Sequence, residues 1–351
     1  MKKLVIILGV YCITTFLYGQ PSRWSSNKQG QWRFENHLSE KGYKLRNATL
    51  TDSESFTFKK NVTAVVDWFH QNHPMLINLA GYDMRTLTTR IWGDFTTQMD
   101  CEYGIPAEIG FLFELFHADG SKWTVEPPQY RFNVNAIFSG HDGFYFNPSP
   151  ILVDDPDYKM TGMPTYKKAK ERMMQYFRVY PLAEQPFPGV DIYQAYRDGW
   201  QQNGRQTVVI YNSNRPSYWL PVTVKEVADA SLAYYSLFQQ KEIDRMILNQ
   251  LKQEIEELSP EELEAPAYAG HDSHFVLKVN GNEQGYQIMR FNPDYWDRTL
   301  PKSTIQFMTF NNANYTENEM DEQKNKSYPN YPQQFFNKIH WDRVSLLIPK
   351  K

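Results

Sequence analysis

Between residues 223 and 258 apolar or small side chains recur every three to five positions: Val227, Ser231, Tyr234, Phe238, Ile243, Ile247, Leu251, Ile255 and Leu258, with Lys241, Glu242, Lys252 and Glu256 on the opposite face. That spacing predicts one long amphipathic helix. Its start is marked by Thr223 and Glu226, whose side chains can each satisfy the other's free backbone N–H, while Val222 and Val227 can close over the entry as a hydrophobic staple. Ser259-Pro260-Glu261-Glu262 repeats the pattern with proline at the first helical position, predicting a short helix that ends near Pro266. Phe56, Phe58, Val62, Val65, Val66 and Phe69 predict a helix over 55–72, ending before Pro74. A further helix is expected over 167–180, stopped by Pro181.

Elsewhere runs of β-branched and aromatic residues are broken by Gly and Pro, which predicts strands at 86–95, 105–118, 123–125, 130–138, 274–279, 285–291, 305–310 and 345–348. Asn280-Gly281 suits a hairpin turn, and the polar stretch 311–332 reads as a surface loop. The regular βαβ alternation of a parallel sheet is missing, so the fold class is α+β with mainly antiparallel strands. Pro181, Pro186, Pro188 and Gly189 form a dense breaker cluster. It separates 22–180 from 190–349, either as two lobes or as one domain crossed by a long loop.

Met1-Lys2-Lys3 precedes an apolar run that closes at Tyr18-Gly19, the pattern of a cleaved signal peptide over 1–19. Residues 4–18 number 15, short of the roughly 20 needed to span a hydrocarbon core, and no later run reaches that length. Export to a periplasmic or extracellular setting is expected, with no membrane insertion after the leader is removed. Loss of Lys2 and Lys3 takes 37 cationic side chains to 35 against 40 acids, a net charge of −5 with both signs scattered. Nucleic acid, which needs clustered Lys and Arg, is excluded as a partner. The one cysteine left outside the leader, Cys101, lacks a neighbouring cation to activate it and has no partner for a disulfide. The core must therefore hold the fold.

No phosphate loop, GxGxxG, HExxH, GxSxG or CxxC motif is present, and no cofactor is expected. His70 with His73, and His271-Asp272 with His274, carry metal-binding side chains at close spacing, and His117 and His141-Asp142 could join them only through folding. The second set follows a loop of small residues, where functional groups are often presented. Strand periodicity puts Glu108 and Glu114 on one face but about 20 Å apart, too far for a glycosidase pair unless Asp94 or Asp100 joins one of them. Asp154-Asp155-Pro156-Asp157 clusters oxygen ligands without the spacing of a calcium loop.

Aromatic residues make up 15% of the chain, with 23 Tyr and 9 Trp. Two segments match in type: Asn214-Arg215-Pro216-Ser217-Tyr218-Trp219 and Asn292-Pro293-Asp294-Tyr295-Trp296-Asp297-Arg298. Large rings supply contact area and guanidinium groups supply directed donors, so Arg215, Tyr218, Trp219, Tyr295, Trp296 and Arg298 are the candidate binding residues. The expected function is non-catalytic binding of a ligand or partner, a glycan or a peptide, through an aromatic and Arg-bearing groove. The alternative is a hydrolase of envelope or extracellular polymers, with His271, Asp272 and His274 catalytic and the two histidines as metal ligands. A structural or assembly component of the envelope is the third reading.

Overall fold

In a computed structural model of the chain the described residues are 24–44, 49–90, 104–123, 127–136, 176–193, 196–198, 201–237, 242–269, 286–313 and 329–350. The expectations for 123–125 beyond Trp123, for 274–279 and for the turn at Asn280-Gly281 lie outside them.

Helix α1 (Asp52–Asn72) opens on a reciprocal box: Thr51 accepts from the Glu54 N–H, and the Glu54 carboxylate accepts from the Thr51 N–H. Phe58, Val62, Val65, Val66 and Phe69 are buried along its inner stripe, whereas Phe56 is 56% exposed. Two residues from Phe58 is about 200° round the helix, which puts Phe56 on the far side. Helix α2 (Pro74–Ile77) follows at once, capped by His73.

One nine-stranded sheet runs in the order β1 (Trp32–Asn36), β2 (Tyr82–Arg90), β3 (Ala107–Leu115), β4 (Gln129–Val134), β13 (Phe307–Ala313), β9 (Gln201–Tyr211), β7 (Val190–Tyr193), β6 (Leu182–Phe187), with β8 (Tyr196–Asp198) also on β9. Only the β1–β2 pair is parallel among the described pairings, so the expected α+β fold with mainly antiparallel sheets is present. The breaker cluster Pro181–Gly189 lies in and beside the β6–β7 hairpin, where Gly189 takes a φ of 88° that only glycine adopts without strain. Strands from both sides of that cluster share the sheet.

A second sheet has β12 (Tyr286–Phe291) at its centre, with β5 (Tyr176–Val179) on one edge and β10 (Trp219–Pro221) and β11 (Tyr268–Ala269) on the other. The helix expected over 167–180 is thus a strand in its described part. Phe177 and Val179 turn to one face and Tyr176 to the other, a period of two that a four-residue run cannot distinguish from a helical one in sequence.

The single helix expected over 223–258 is instead α3 (Val224–Tyr235) and α4 (Glu242–Glu256). At Ser236 the hydroxyl donates back to the Leu232 carbonyl, and the Leu237 N–H tightens onto Tyr234. These bonds compete with continued α-helix. The apolar stripe persists across the break because both helices pack into one cluster with Val222, Tyr176 and Ile288. The boxes at Thr223/Glu226 and Ser259/Glu262 form as expected, the latter opening α5 (Pro260–Glu264).

Tyr331 and Pro332, at the end of the stretch expected as loop, instead open α6 (Tyr331–Asn337), because Asn330 caps the Gln333 N–H and Pro332 sits in the first turn. In the stretch 345–348, expected as strand, Ser345–Leu347 instead follow α7 (Trp341–Val344) as a 3₁₀ turn. The layers follow from three cores. Helices α1, α2, α6 and α7 cover one face of the large sheet. The opposite face at β7, β9 and β13 meets the second sheet, whose outer face carries α3, α4 and α5.

Candidate functional site

The two matching segments dock on one another. Asn292 donates from its backbone N–H to the Tyr218 carbonyl at 2.8 Å and from Nδ2 to the Ser217 carbonyl at 2.7 Å. Its Oδ1 caps the 3₁₀ turn Pro293–Tyr295 through the Asp294 N–H. In return Arg215 donates Nε–H to the Tyr295 carbonyl at 2.9 Å and Nη2–H to the carbonyls of Asp294 and Trp296 at 3.1 and 2.9 Å. Three end-of-turn carbonyls therefore hold the guanidinium flat.

The rings face inward. Tyr218, Trp219, Tyr295 and Trp296 are all buried, in one cluster with Phe177 and Phe307 between the sheets. Tyr295 meets Tyr218 edge-on at 6.1 Å and Trp296 at 5.8 Å. Its hydroxyl donates to the Gln306 carbonyl at 2.6 Å and accepts the Asn212 N–H at 2.9 Å. The structure thus brings together five of the six candidate residues, as a floor of rings under a polar rim. Arg298 is exposed on the following turn.

The rim keeps unspent hydrogen-bonding capacity. Arg215 Nη1 makes no hydrogen bond among the described residues and lies 3.9 Å from Asp297 Oδ2, with side chains 28% and 18% exposed. Asp297 Oδ1 accepts from the side chain and backbone N–H of Thr299, which with the nearby guanidinium holds its carboxyl below the usual range and therefore ionised. Behind the rim, Gln306 exchanges two bonds with the Asp297 backbone, at 2.8 and 3.2 Å, and its own N–H is held by Asn135 at 2.9 Å. Asn135, Gln306 and the rim role of Asp297 had no local sequence signal. Their partners lie up to 171 residues away.

Beneath the floor lies a buried carboxylate. Asp191 Oδ1 accepts from Gln185 at 2.6 Å and Tyr211 at 3.0 Å, and Oδ2 accepts from Tyr218 at 2.6 Å. The Tyr218 proton points to Asp191, so Tyr193 must donate in its short contact with Tyr218, and Tyr193 accepts from the donor-only indole of Trp219 at 3.1 Å. A one-way donor chain results: Trp219, Tyr193, Tyr218, Asp191. Burial, its largest cause, pushes the Tyr193, Tyr211 and Tyr218 hydroxyls up, with the Asp191 charge adding to it.

The histidines go to separate places. His70 stacks on Trp32 at 3.9 Å, His117 stacks on Trp24 at 4.7 Å, and His73 is buried as a helix cap. Glu114 is buried beneath Arg33, Arg85 and Lys122, and Glu108 pairs with Arg131. His271, Asp272, His274, His141, Asp142, Asp94, Asp100, Cys101 and Asp154 to Asp157 lie outside the described residues. Among the described residues no three His, Cys, Asp or Glu side chains gather as a metal site, and no helix is long and apolar enough to cross a membrane. Set against protein-family models, curated proteins and solved structures, the chain matches none.

Proposed function

We propose that this chain is an exported, non-catalytic binding protein whose rim at Arg215 and Asp297 holds a polyhydroxylated ligand, a glycan. The carrying observation is the Arg215 Nη1–Asp297 Oδ2 ion pair at 3.9 Å, in which neither atom has a hydrogen bond to another described residue. Neighbouring sugar hydroxyls each donate and accept, so one pair can answer both groups at once. An anionic ligand would meet the ionised Asp297 as well as a net negative chain. The buried rings contribute stiffness beneath the rim, which lowers the ordering cost of binding. Export rests on the leader pattern of 1–19.

Calorimetric titration with a panel of neutral oligosaccharides tests this. Binding is expected, weakened about tenfold or more, about 1.4 kcal/mol, by Arg215→Ala and by Asp297→Asn. No binding across the panel, or binding indifferent to both substitutions, overturns it. Release of new reducing ends from any member would favour the hydrolase instead. N-terminal sequencing of the exported protein checks the leader.

A further inference from the structure

Tyr218 stands between a buried tryptophan, Trp219, and a half-buried tyrosine, Tyr211. Its ring centroid lies 5.6 Å from Trp219 and 4.9 Å from Tyr211, and 6.1 Å from Tyr295, which in turn is 5.8 Å from Trp296. Trp219 and Trp296 are buried, while Tyr211 is only partly covered. Oxidisable rings in near contact pass an electron readily. Whether a tyrosine can act as the stopping point depends on a base for its phenolic proton, because the phenol becomes a strong acid once it loses an electron.

The hydroxyls differ sharply in that respect. Tyr295 donates to a backbone carbonyl, which cannot hold a proton. Tyr218 and Tyr211 each donate to a different oxygen of the Asp191 carboxylate. Trp219 donates its indole N–H to a phenol and so keeps its proton when oxidised.

We propose that Trp219, Tyr218, Asp191 and Tyr211 form a relay that carries an oxidising equivalent out of the buried core to the surface, independently of ligand binding at Arg215. A one-electron oxidising radical takes an electron from Trp219 and is itself reduced. The indole radical cation then takes an electron from Tyr218, whose proton moves to Asp191 Oδ2, leaving a neutral phenoxyl radical and a carboxylic acid. Tyr211 next gives an electron to Tyr218 as the Oδ2 proton returns there and the Tyr211 proton passes to Oδ1. A diffusing thiolate reduces Tyr211 with one electron, Asp191 returns the proton, and a thiyl radical leaves.

Laser photo-ionisation of the tryptophans in the full chain, followed by transient absorption, tests the first steps. The phase of interest is the conversion of indole radical-cation to phenoxyl signal that Trp219→Phe removes. It is expected to be first order, independent of protein concentration, and slowed about tenfold or more by Tyr218→Phe and by Asp191→Asn, the equivalent of about 1.4 kcal/mol in the barrier. The same phase should slow in deuterated water, a reading that needs no variant and stands even if a substitution impairs folding. A phase that is absent, scales with protein concentration, or ignores both the solvent isotope and the substitutions overturns the relay.

Discussion

The Nε2 atom of His73 lies 2.9 Å from the carbonyl oxygen of Phe335, and its imidazole stacks on the Phe335 ring with centroids 3.8 Å apart. Nδ1 accepts the Met75 N–H at 3.3 Å, so Nε2 carries the proton and the ring is neutral. The contact ties the α1–α2 corner to α6 across 262 residues.

Burial lowers the His73 pKa from 6.5 to about 4 in the folded chain. A depressed folded value means that the unfolded chain binds the proton first as pH falls. The contribution is therefore complete above pH 6.5 and is lost as pH drops towards 4, by about 3 kcal/mol at most. Urea unfolding at a series of pH values should reveal this slope, and His73→Asn, which keeps a capping side chain but cannot titrate, should flatten it.

Tyr130 illustrates the opposite case, a buried group with nothing to bond. Its hydroxyl has no hydrogen-bond partner among the described residues, while its ring packs 5.3 Å from Phe335. Tyr130→Phe keeps the ring and removes the orphaned oxygen, so unfolding free energy should hold or rise by about 1 kcal/mol. Phe132→Ala on the same strand should lose about 3 to 5 kcal/mol through the cavity it leaves. Equilibrium denaturation of the pair measures both.

Where local chemistry decides the structure, the sequence is a good guide. The boxes at Thr223/Glu226 and Ser259/Glu262 close as spacing predicts, since each involves residues three apart. The break between α3 and α4 is invisible because the stripe continues through it, and a periodic pattern does not report which neighbour it packs against. The Tyr-Trp turns were recognisable as kin, yet their docking depends on Asn292 reaching Ser217 and Arg215 reaching the 294–296 carbonyls. The same limit hid Asp191, whose three donors come from β6, from β9 and from the turn that leads into β10.

Glu114 is 2% exposed, yet the cations around it, Arg33, Arg85 and Lys122, are 34 to 49% exposed. Removing the carboxylate charge by Glu114→Gln leaves cations that water can still reach. The cost should accordingly be about 1 to 2 kcal/mol rather than the larger loss seen when a fully buried charge is orphaned. At about 1 M salt, where the Debye length is about 3 Å, the difference between wild type and variant should shrink. Thermal or urea unfolding at low and high salt checks both parts.

Asn135 offers the clearest separation of stability from binding. It has a φ of 50°, in the left-handed region that Asn tolerates better than most residues, and its side chain bonds the carbonyls of Ile105 and Thr304 and the N–H of Gln306. Asn135→Gly relieves the backbone but loses those bonds, whereas Asn135→Ala loses both, so Ala should be the more destabilising, by about 2 to 4 kcal/mol against wild type. Gln306 then lacks its anchor, and through it Asp297 loses the support that holds its Oδ2 beside Arg215. At temperatures where both variants remain folded, oligosaccharide affinity should fall about three- to tenfold although neither substitution touches the rim, up to about 1.4 kcal/mol. An affinity unchanged in a folded Asn135→Gly protein would mean that the rim is held by Arg215 and Thr299 alone.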